Sequence, residues 1–450
     1  REPNTNIPHG DTFVRLRFVR NGASSGGAVV VQDMTPEQRL GFRDCTFEEN
    51  YAEQFGAAVS ITGAGNTTFA STTFRANKAG TVGGAVAIKN EDQSAKGQLY
   101  FVGSAFQGNS AISAGGAFSC AQGIGSSTHT WFTDSTFDEN SAIALGGAVI
   151  YKCGYLTISG GRFKANNASG GSGGAIALGA QTLCADGTNK TRFADVAFQN
   201  NEASVGGGLV FFDHVAPKCR LPILPDGSFN MSDETWSWQD PATLVKGNIA
   251  SYGQLHATAP AKINTQCVAA NESSGWSALA GCRTIQNGTS TATIFDTAFV
   301  GMEVELVSTM TDDFGQKIAG ENAGVGVQIA ATLKNVSAPF ATVGLGRFWF
   351  DAGQVAIAGL RITSQASSAD ILNSTQYLQL AVPSVLVEYS YLPPAEVKLI
   401  FGLCPAGWVR DDKSSRVCTA CPGGYFALTG AEACDLCAAG TYSPRQGSAA

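Results

Sequence analysis

Two elements recur in fixed order along this chain: an F-x-x-N tetrad and, eight to ten residues after its Phe, a glycine pair that opens a short apolar run. In "FRANKAGTVGGAVAI", residues 74 to 88, they are Phe74, Asn77 and Gly83-Gly84. Phe18/Asn21 likewise precedes Gly26-Gly27-Ala28-Val29, and Phe47/Asn50 precedes Gly56-Ala57-Ala58-Val59. Phe106/Asn109 leads to Gly115-Gly116-Ala117-Phe118, and Phe137/Asn140 to Gly146-Gly147-Ala148-Val149. Phe163/Asn166 leads to Gly173-Gly174-Ala175-Ile176, and Phe198/Asn201 to Gly206-Gly207-Gly208-Leu209. That makes seven units, 26 to 35 residues apart. A fixed core with variable spacers is the pattern of stacked coils with protruding loops.

Counted from the first Gly, the fourth residue is Val29, Val59, Val86, Phe118, Val149, Ile176 or Leu209, and the sixth is Val31, Ile61, Ile88, Cys120, Tyr151, Leu178 or Phe211. The residue between swings among Val, Ser, Ala and Ile. This is period-two alternation, predicting a strand with one buried face. Further strands lead into several Phe positions, as in "QLYFVGSAF", "TWFTDSTF" and "YLTISGGRF". Two or three strands per unit without helix-forming spacers predict an all-β fold beginning with a right-handed parallel β-helix of the pectin-lyase-like type. In that fold the Phe residues form an interior ladder. The Asn residues turn a corner and bond to the backbone and to the Asn one coil away. The glycines supply unusual backbone angles and room for close approach.

These GGA[I/V] and F-x-x-N elements resemble the repeats of the polymorphic outer-membrane protein family, a β-helical surface and adhesin type, and related arrays in large extracellular algal and protist proteins. The resemblance covers residues 18 to about 212 and extends to "GNIASYGQLHATAP", where Asn248, Tyr252 and Gly253 match a terminal coil. It implies about eight coils over residues 1–262, with a loop excursion at 213–245 that holds Trp236 and Trp238. No autotransporter barrel is visible, so that part of the family's biology is not implied.

Composition bounds the partners. Charged residues make up 14% of 450, glycine numbers 54, and the net charge is −7, which argues against nucleic acid. No apolar run approaches the roughly 18 residues of a membrane span. Twelve cysteines favour an oxidising compartment. N-x-S/T triplets at Asn66, Asn167, Asn189, Asn230, Asn271, Asn287, Asn335 and Asn373 agree with a secreted, N-glycosylated protein. The N-terminus lacks a signal peptide and the C-terminus stops inside a cysteine pattern, so both ends read as cuts in a larger protein.

After Pro260 the repeat phase is lost. Runs such as "GMEVELVSTM", "GVGVQIAATL", "FATVGLGRFWF", "QVAIAGLRI" and "VPSVLVEYSY" suit an immunoglobulin-like β-sandwich, with its preceding linker, at 263–400. The turn "TDDFGQKI" resembles the D-x-x-G turns of adhesin sandwich modules. The tail, 401–450, spaces Cys404, Cys418, Cys421, Cys434 and Cys437 as either a zinc ribbon or a disulfide module would. "CPGGYFALTG" and "CAAGTYSPRQG" resemble the ephrin-receptor-like cysteine-rich repeat, which implies Cys404–Cys418 and Cys421–Cys434 bonds and leaves Cys437 without a partner in this sequence. Upstream, Cys184 with Cys219 and Cys267 with Cys282 read as loop closures. Cys120 and Cys153 lie on successive coils but two residues out of register, a geometry that strains a bond. Cys45 reads as a buried free thiol.

The pectate lyases and polygalacturonases share the β-helix, and they need clustered carboxylates beside a base. Here the Asp-Asp pairs, Asp312-Asp313 and Asp411-Asp412, fall outside the array. His9, His129, His214 and His256 share no motif. Glu48, Glu49, Asp138 and Glu139 occupy the x-x of F-x-x-N, where a solvated turn explains them. Two G-x-S-x-G matches, at 22–26 and 170–174, lie in glycine turns without a strand-to-helix elbow. No catalytic, cofactor or metal residue is named. The expected function is a non-catalytic structural or adhesive segment of an extracellular glycoprotein, in a surface, matrix or flagellar-hair assembly with other subunits or copies of itself. The alternative is a polysaccharide lyase or glycoside hydrolase acting in a groove of the helix.

Overall fold

The computed structural model describes residues 10–35, 37–63, 65–89, 97–120, 128–179, 184–185, 188–189, 191–212, 236–237, 245–268, 280–287, 290–318, 328–334, 340–344, 346–382, 392–410, 417–439 and 441. The chain forms two compact units, residues 1–259 and 260–450.

The first unit is a parallel β-solenoid with four sheets of eight, eight, seven and eight strands. One coil consists of Asn66–Ala70, Thr73–Arg75, Lys78–Ala79 and Val86–Ile88, one strand for each sheet. Successive coils pair in register, with shifts between the first and second coils at Ala23/Ser25 and Val31/Met34: Phe47, Phe74 and Phe106 are direct partners, as are Val59, Val86 and Phe118.

Three corners hold the coil. Between the first and second sheets, Asp44, Ser71, Gly103 and Asp134 take positive φ of 54°, 48°, 57° and 49°. At the F-x-x-N corner the second x does so, with φ of 52° at Glu49, 53° at Ala76, 61° at Gly108 and 57° at Glu139. L residues visit this region at a cost of about 1–2 kcal/mol, which the Asn ladder after it offsets. The third corner is the glycine pair. The first Gly has φ of +65° at Gly83 and +64° at Gly115, and a Cβ there would meet the carbonyl three residues on, 2.5 Å away at Gly83.

The core is built from aromatic ladders. The predicted one runs through Phe18, Phe47, Phe74, Phe106, Phe137, Phe163 and Phe198, with ring centroids 4.4 to 5.1 Å apart. Beside it stands a second, unpredicted ladder in the first sheet: Phe13, Phe42, Phe69, Phe101 and Phe132. The two ladders meet edge to face at 5.1 to 5.6 Å, the arrangement ring quadrupoles prefer.

Several expectations are corrected. Strands 86–88, 118–120, 149–151 and 176–178 of the fourth sheet bury both faces, not one. The residues just before the glycine turn fold back over the sheet's outer side, so Ile150 packs with Ala114, Ala177, Val82 and Leu145. The last repeat is displaced by one residue. Gly207, not Gly206, takes the positive φ, and Ile176 pairs with Val210 while Leu178 pairs with Phe212. Three consecutive glycines conceal which one turns. The excursion at 213–245 is interrupted, because Trp236–Ser237 pairs with Phe193–Ala194 and Val245–Lys246 with Phe198–Gln199 as the next rung.

The second unit has a four-stranded sheet, ordered Lys262–Cys267, Glu303–Thr311, Gln354–Ser364, Phe340–Gly344. A six-stranded sheet is ordered Cys282–Asn287, Ser290–Ala298, Ala395–Phe401, Thr375–Ala381, Gln328–Lys334, Arg347–Trp349. Phe340 of one and Phe401 of the other touch at 4.7 Å, as facing sheets of a sandwich do. Strands 375–381 and 395–401 were not anticipated, while the run at 382–391 lies almost wholly outside the described residues. Asp312 organises the D-x-x-G turn by accepting the N–H groups of Phe314 and Gln316 at 3.0 and 2.8 Å. The tail bonds to the sandwich: Gly402 N–H donates to Ala298 O and Cys418 N–H to Val300 O.

Candidate functional site

The sequence-derived residues assemble into structure rather than chemistry. The Asn ladder continues through Asn21, Asn50, Asn77, Asn109, Asn140, Asn166 and Asn201 to Asn248. At Asn77 the Nδ2 donates to Phe47 O at 3.0 Å and to Asn109 Oδ1 at 2.9 Å. Its Oδ1 accepts the N–H and the Nδ2 of Asn50 at 3.0 and 2.9 Å. Two donors and two acceptor sites are all used, which is why a fully buried carboxamide is tolerated.

The acids of the x-x positions form ion pairs between coils. Glu48 accepts from Arg17 at 3.1 Å and from Arg75 on the other side, and those guanidinium bonds hold its carboxyl below the usual range. Glu49 pairs with Arg20 at 2.6 Å, and Asp138 with Arg162 through two bonds of 2.9 and 2.7 Å. Among the described residues no three of His, Cys, Asp or Glu form a group able to hold a metal ion.

Four disulfides join described residues: Cys120–Cys153, Cys267–Cys282, Cys404–Cys418 and Cys421–Cys434. The first corrects the expectation of a strained geometry. The chain bends after Tyr151, the residue in register with Cys120, and brings Cys153 back to a Cα separation of 5.8 Å. Cys267–Cys282 ties an edge strand of one sandwich sheet to an edge strand of the other. Cys184 lies in a two-residue strand, and its proposed partner Cys219 is outside the described residues. Cys437 is free and half-buried, and Cys45 is free and buried. Cys45 is not a lone core thiol, however. It heads a ladder with Thr72, Ser104 and Ser135, each of which donates to two backbone carbonyls. Its Sγ lies 3.5 Å from Phe13 O and 3.3 Å from Arg43 O.

Of the sequons, Asn66 and Asn167 are half-buried on strands, while Asn373 is exposed in a turn with φ +62°. Asn189 and Asn287 sit at strand ends. Asn230, Asn271 and Asn335 lie outside the described residues.

One group of side chains belongs neither to the core nor to the ion pairs. On the outer side of the first sheet, Tyr100 and Trp131 are register partners whose rings stack at 4.5 Å and 6°. The ring of His129 lies on Trp131 at 3.4 Å, with Tyr155 tilted against it at 5.3 Å. Gln98 Oε1 accepts the Tyr100 hydroxyl at 2.8 Å, and His129 Nε2 lies 3.2 Å from Thr157 Oγ1. Burial raises the Tyr100 hydroxyl, with Arg39 opposing, and lowers His129 to about 4, so its imidazole is neutral at pH 7. The cluster offers hydrogen bonds and ring edges at the surface. The four histidines do not converge: His256 is buried in the fourth sheet, and His9 and His214 are outside the described residues.

The fold defines the class: a parallel β-solenoid followed by a two-sheet sandwich and a disulfide-rich tail. No family model, curated protein or solved structure matches the chain. No helix among the described residues is long and apolar enough to cross a membrane.

Proposed function

We propose that this chain is a non-catalytic structural or adhesive segment of an extracellular, N-glycosylated assembly, kin to the polymorphic outer-membrane protein repeats and ending in an ephrin-receptor-like module. The observation that carries the reading is the Asn ladder from Asn21 to Asn248. It commits the most regular polar residues of the chain to holding coil on coil. A rod built this way gains function from length and surface, with partners met by side chains such as Tyr100 and Trp131. The test is localisation. Antibody raised to the folded chain should label an extracellular wall, matrix or filament, and the labelled protein should shift in mass on removal of N-linked glycans. Label confined to the cell interior sinks the proposal.

The Tyr100–Trp131–His129 cluster with its Gln98 and Thr157 flanks is the one observation favouring the alternative, a polysaccharide-processing enzyme. Incubation with uronic-acid polymers decides it: chain shortening that disappears in Trp131→Ala or His129→Ala would replace the structural reading.

A further inference from the structure

Two aliphatic side chains stand bare in the middle of the solenoid: Ile112 and Ile143 are 54% and 52% exposed. They follow Ser110-Ala111 and Ser141-Ala142, which pair in register with the alanines buried, so both point outward from the third sheet, one coil apart. The next coil offers them no apolar neighbour. Ser169 N–H donates to Ala142 O and Gly170 N–H to Ile143 O, and a Cβ on Gly170 would lie 3.2 Å from Ile143 Cγ2. A second, independent feature lies on that same coil. Asn167 heads the triplet Asn167-Ala168-Ser169 and pairs with Ser141 on one side and Glu202 on the other, with Ala168 buried between the outward Asn167 and Ser169. Its Oδ1 is shut off from solvent and has no hydrogen-bond partner among the described residues. That leaves Nδ2, the atom that takes a sugar, as the outward one.

We propose that Asn167 carries an N-linked glycan whose first two N-acetylglucosamine units lie back across Ser141 and Ser110 and cover Ile143 and Ile112. The donor is a polyprenyl-diphosphate-linked oligosaccharide. A bond forms between Asn167 Nδ2 and the anomeric carbon, the bond from that carbon to the diphosphate oxygen breaks, the lipid diphosphate leaves with the electron pair, and Nδ2 gives up one proton to solvent. Each sugar ring then has a face of C–H groups for the isoleucines and polar groups for the two serines. Two coil steps measure roughly 10 Å at the spacing of paired strands, the length of the two sugars. The opposite direction is polar, toward the Glu202 carboxylate and Ser204, whose hydroxyl donates to Ser169 O. Covering a contiguous apolar pair takes it out of water, which favours the folded state. The inference rests on the N-glycosylation in the reading above and adds a site where the glycan is part of the packing.

The test uses the full 450-residue chain secreted from a eukaryotic host. Peptide mass spectrometry should find Asn167 occupied. Ser169→Ala removes the triplet and keeps Asn167, and circular dichroism checks that it folds, with Asn167→Gln in its place if it does not. Hydroxyl-radical footprinting should show Ile112 and Ile143 oxidised in that variant and largely protected in the wild type. Tyr51, 47% exposed on the same sheet four coils away, should oxidise equally in both. Loss of the glycan should lower Tm by about 2–4 °C, and this shift should vanish in an Ile112→Ser/Ile143→Ser background. Equal oxidation of the two isoleucines with and without the glycan overturns the proposal, as does an equal Tm shift in both backgrounds. An unmodified Asn167 beside a glycosylated Asn373 overturns it too and leaves the structural reading standing. A secreted chain without any N-linked glycan overturns both.

Discussion

Asn77 and Asn109 are joined twice: the Oδ1 of Asn109 accepts the Asn77 Nδ2 at 2.9 Å and the Asn77 backbone N–H at 3.0 Å, in a site with no solvent exposure. Asn109 also donates to Phe74 O and to Asn140 Oδ1, at 2.9 and 3.0 Å. Replacing Asn109 by Leu removes all four bonds and leaves buried donors and acceptors on the two flanking coils. Each orphaned group costs about 1–3 kcal/mol. Urea unfolding of the solenoid should show a loss of roughly 4 kcal/mol or more, and a loss below 1 kcal/mol would show that the ladder contributes little. Asn109→Asp separates charge from shape. A carboxyl in this buried site has its pKa raised above the unfolded value near 4, so its contribution is intact below that pH and is lost as pH rises through the folded value. This variant should approach wild type near pH 4 and fall away by pH 7.

Glycine is required at one corner and only convenient at another. At Gly115 a Cβ would lie 2.3 Å from Phe118 O and 2.9 Å from Ile150 Cγ2, with φ already +64°. Gly108 has φ +61°, but a Cβ there meets nothing within 4 Å, and Ala76 and Ala165 hold the same position in other coils. Gly115→Ala should cost about 3 kcal/mol or more, and Gly108→Ala about 1 kcal/mol. Equal costs in a thermal melt would show that backbone angle, not coil contact, selects glycine.

Low pH should weaken the solenoid through its histidines. Burial lowers His256 and His129 from 6.5 to about 4, so both are neutral in the fold. Between those pH values the unfolded chain binds more protons, and stability therefore rises with pH across that window and is lost as pH falls through it. His256, buried in the fourth sheet, should account for roughly 2–3 kcal/mol of that loss. His129 is half exposed, so solvent screening leaves it a smaller share. His256→Gln should flatten the dependence of Tm on pH between 4 and 6.5, and an unchanged slope would remove His256 as its source.

Legibility followed repetition. Phe74, Asn77 and Gly83 were readable because each coil repeats them at nearly constant spacing, a consequence of one residue stacking on its equivalent. The second ladder, Phe42 to Phe132, is as regular in sequence as in space, five residues before the first ladder in each coil, and this spacing was the signal to read; Ile158 takes the same position and interrupts the run of rings. The one-residue slip at Gly207 was hidden because pairing with Ile176, not local composition, chooses which of three glycines turns. The surface cluster had no pattern to betray it. Tyr100, Trp131 and His129 belong to different coils or alternate along a strand, and only register makes them neighbours.

Cys45 shows how a repeat can hide a chemically different member. It occupies the position of Thr72, Ser104 and Ser135, whose hydroxyls each bond a carbonyl of their own coil and one of the coil before. Its thiol lies 3.3 Å from Arg43 O and 3.5 Å from Phe13 O, a weak donor where the others have strong ones. Cys45→Ser should therefore change stability by less than about 1 kcal/mol, since a smaller side chain is offset by better hydrogen bonds. Cys45→Val keeps the volume and loses the donor, which should cost about 1–2 kcal/mol. Denaturant midpoints of the two variants decide the matter. If Val is tolerated better than Ser, the site is an apolar pocket and the thiol's alignment with the hydroxyl ladder carries no energy.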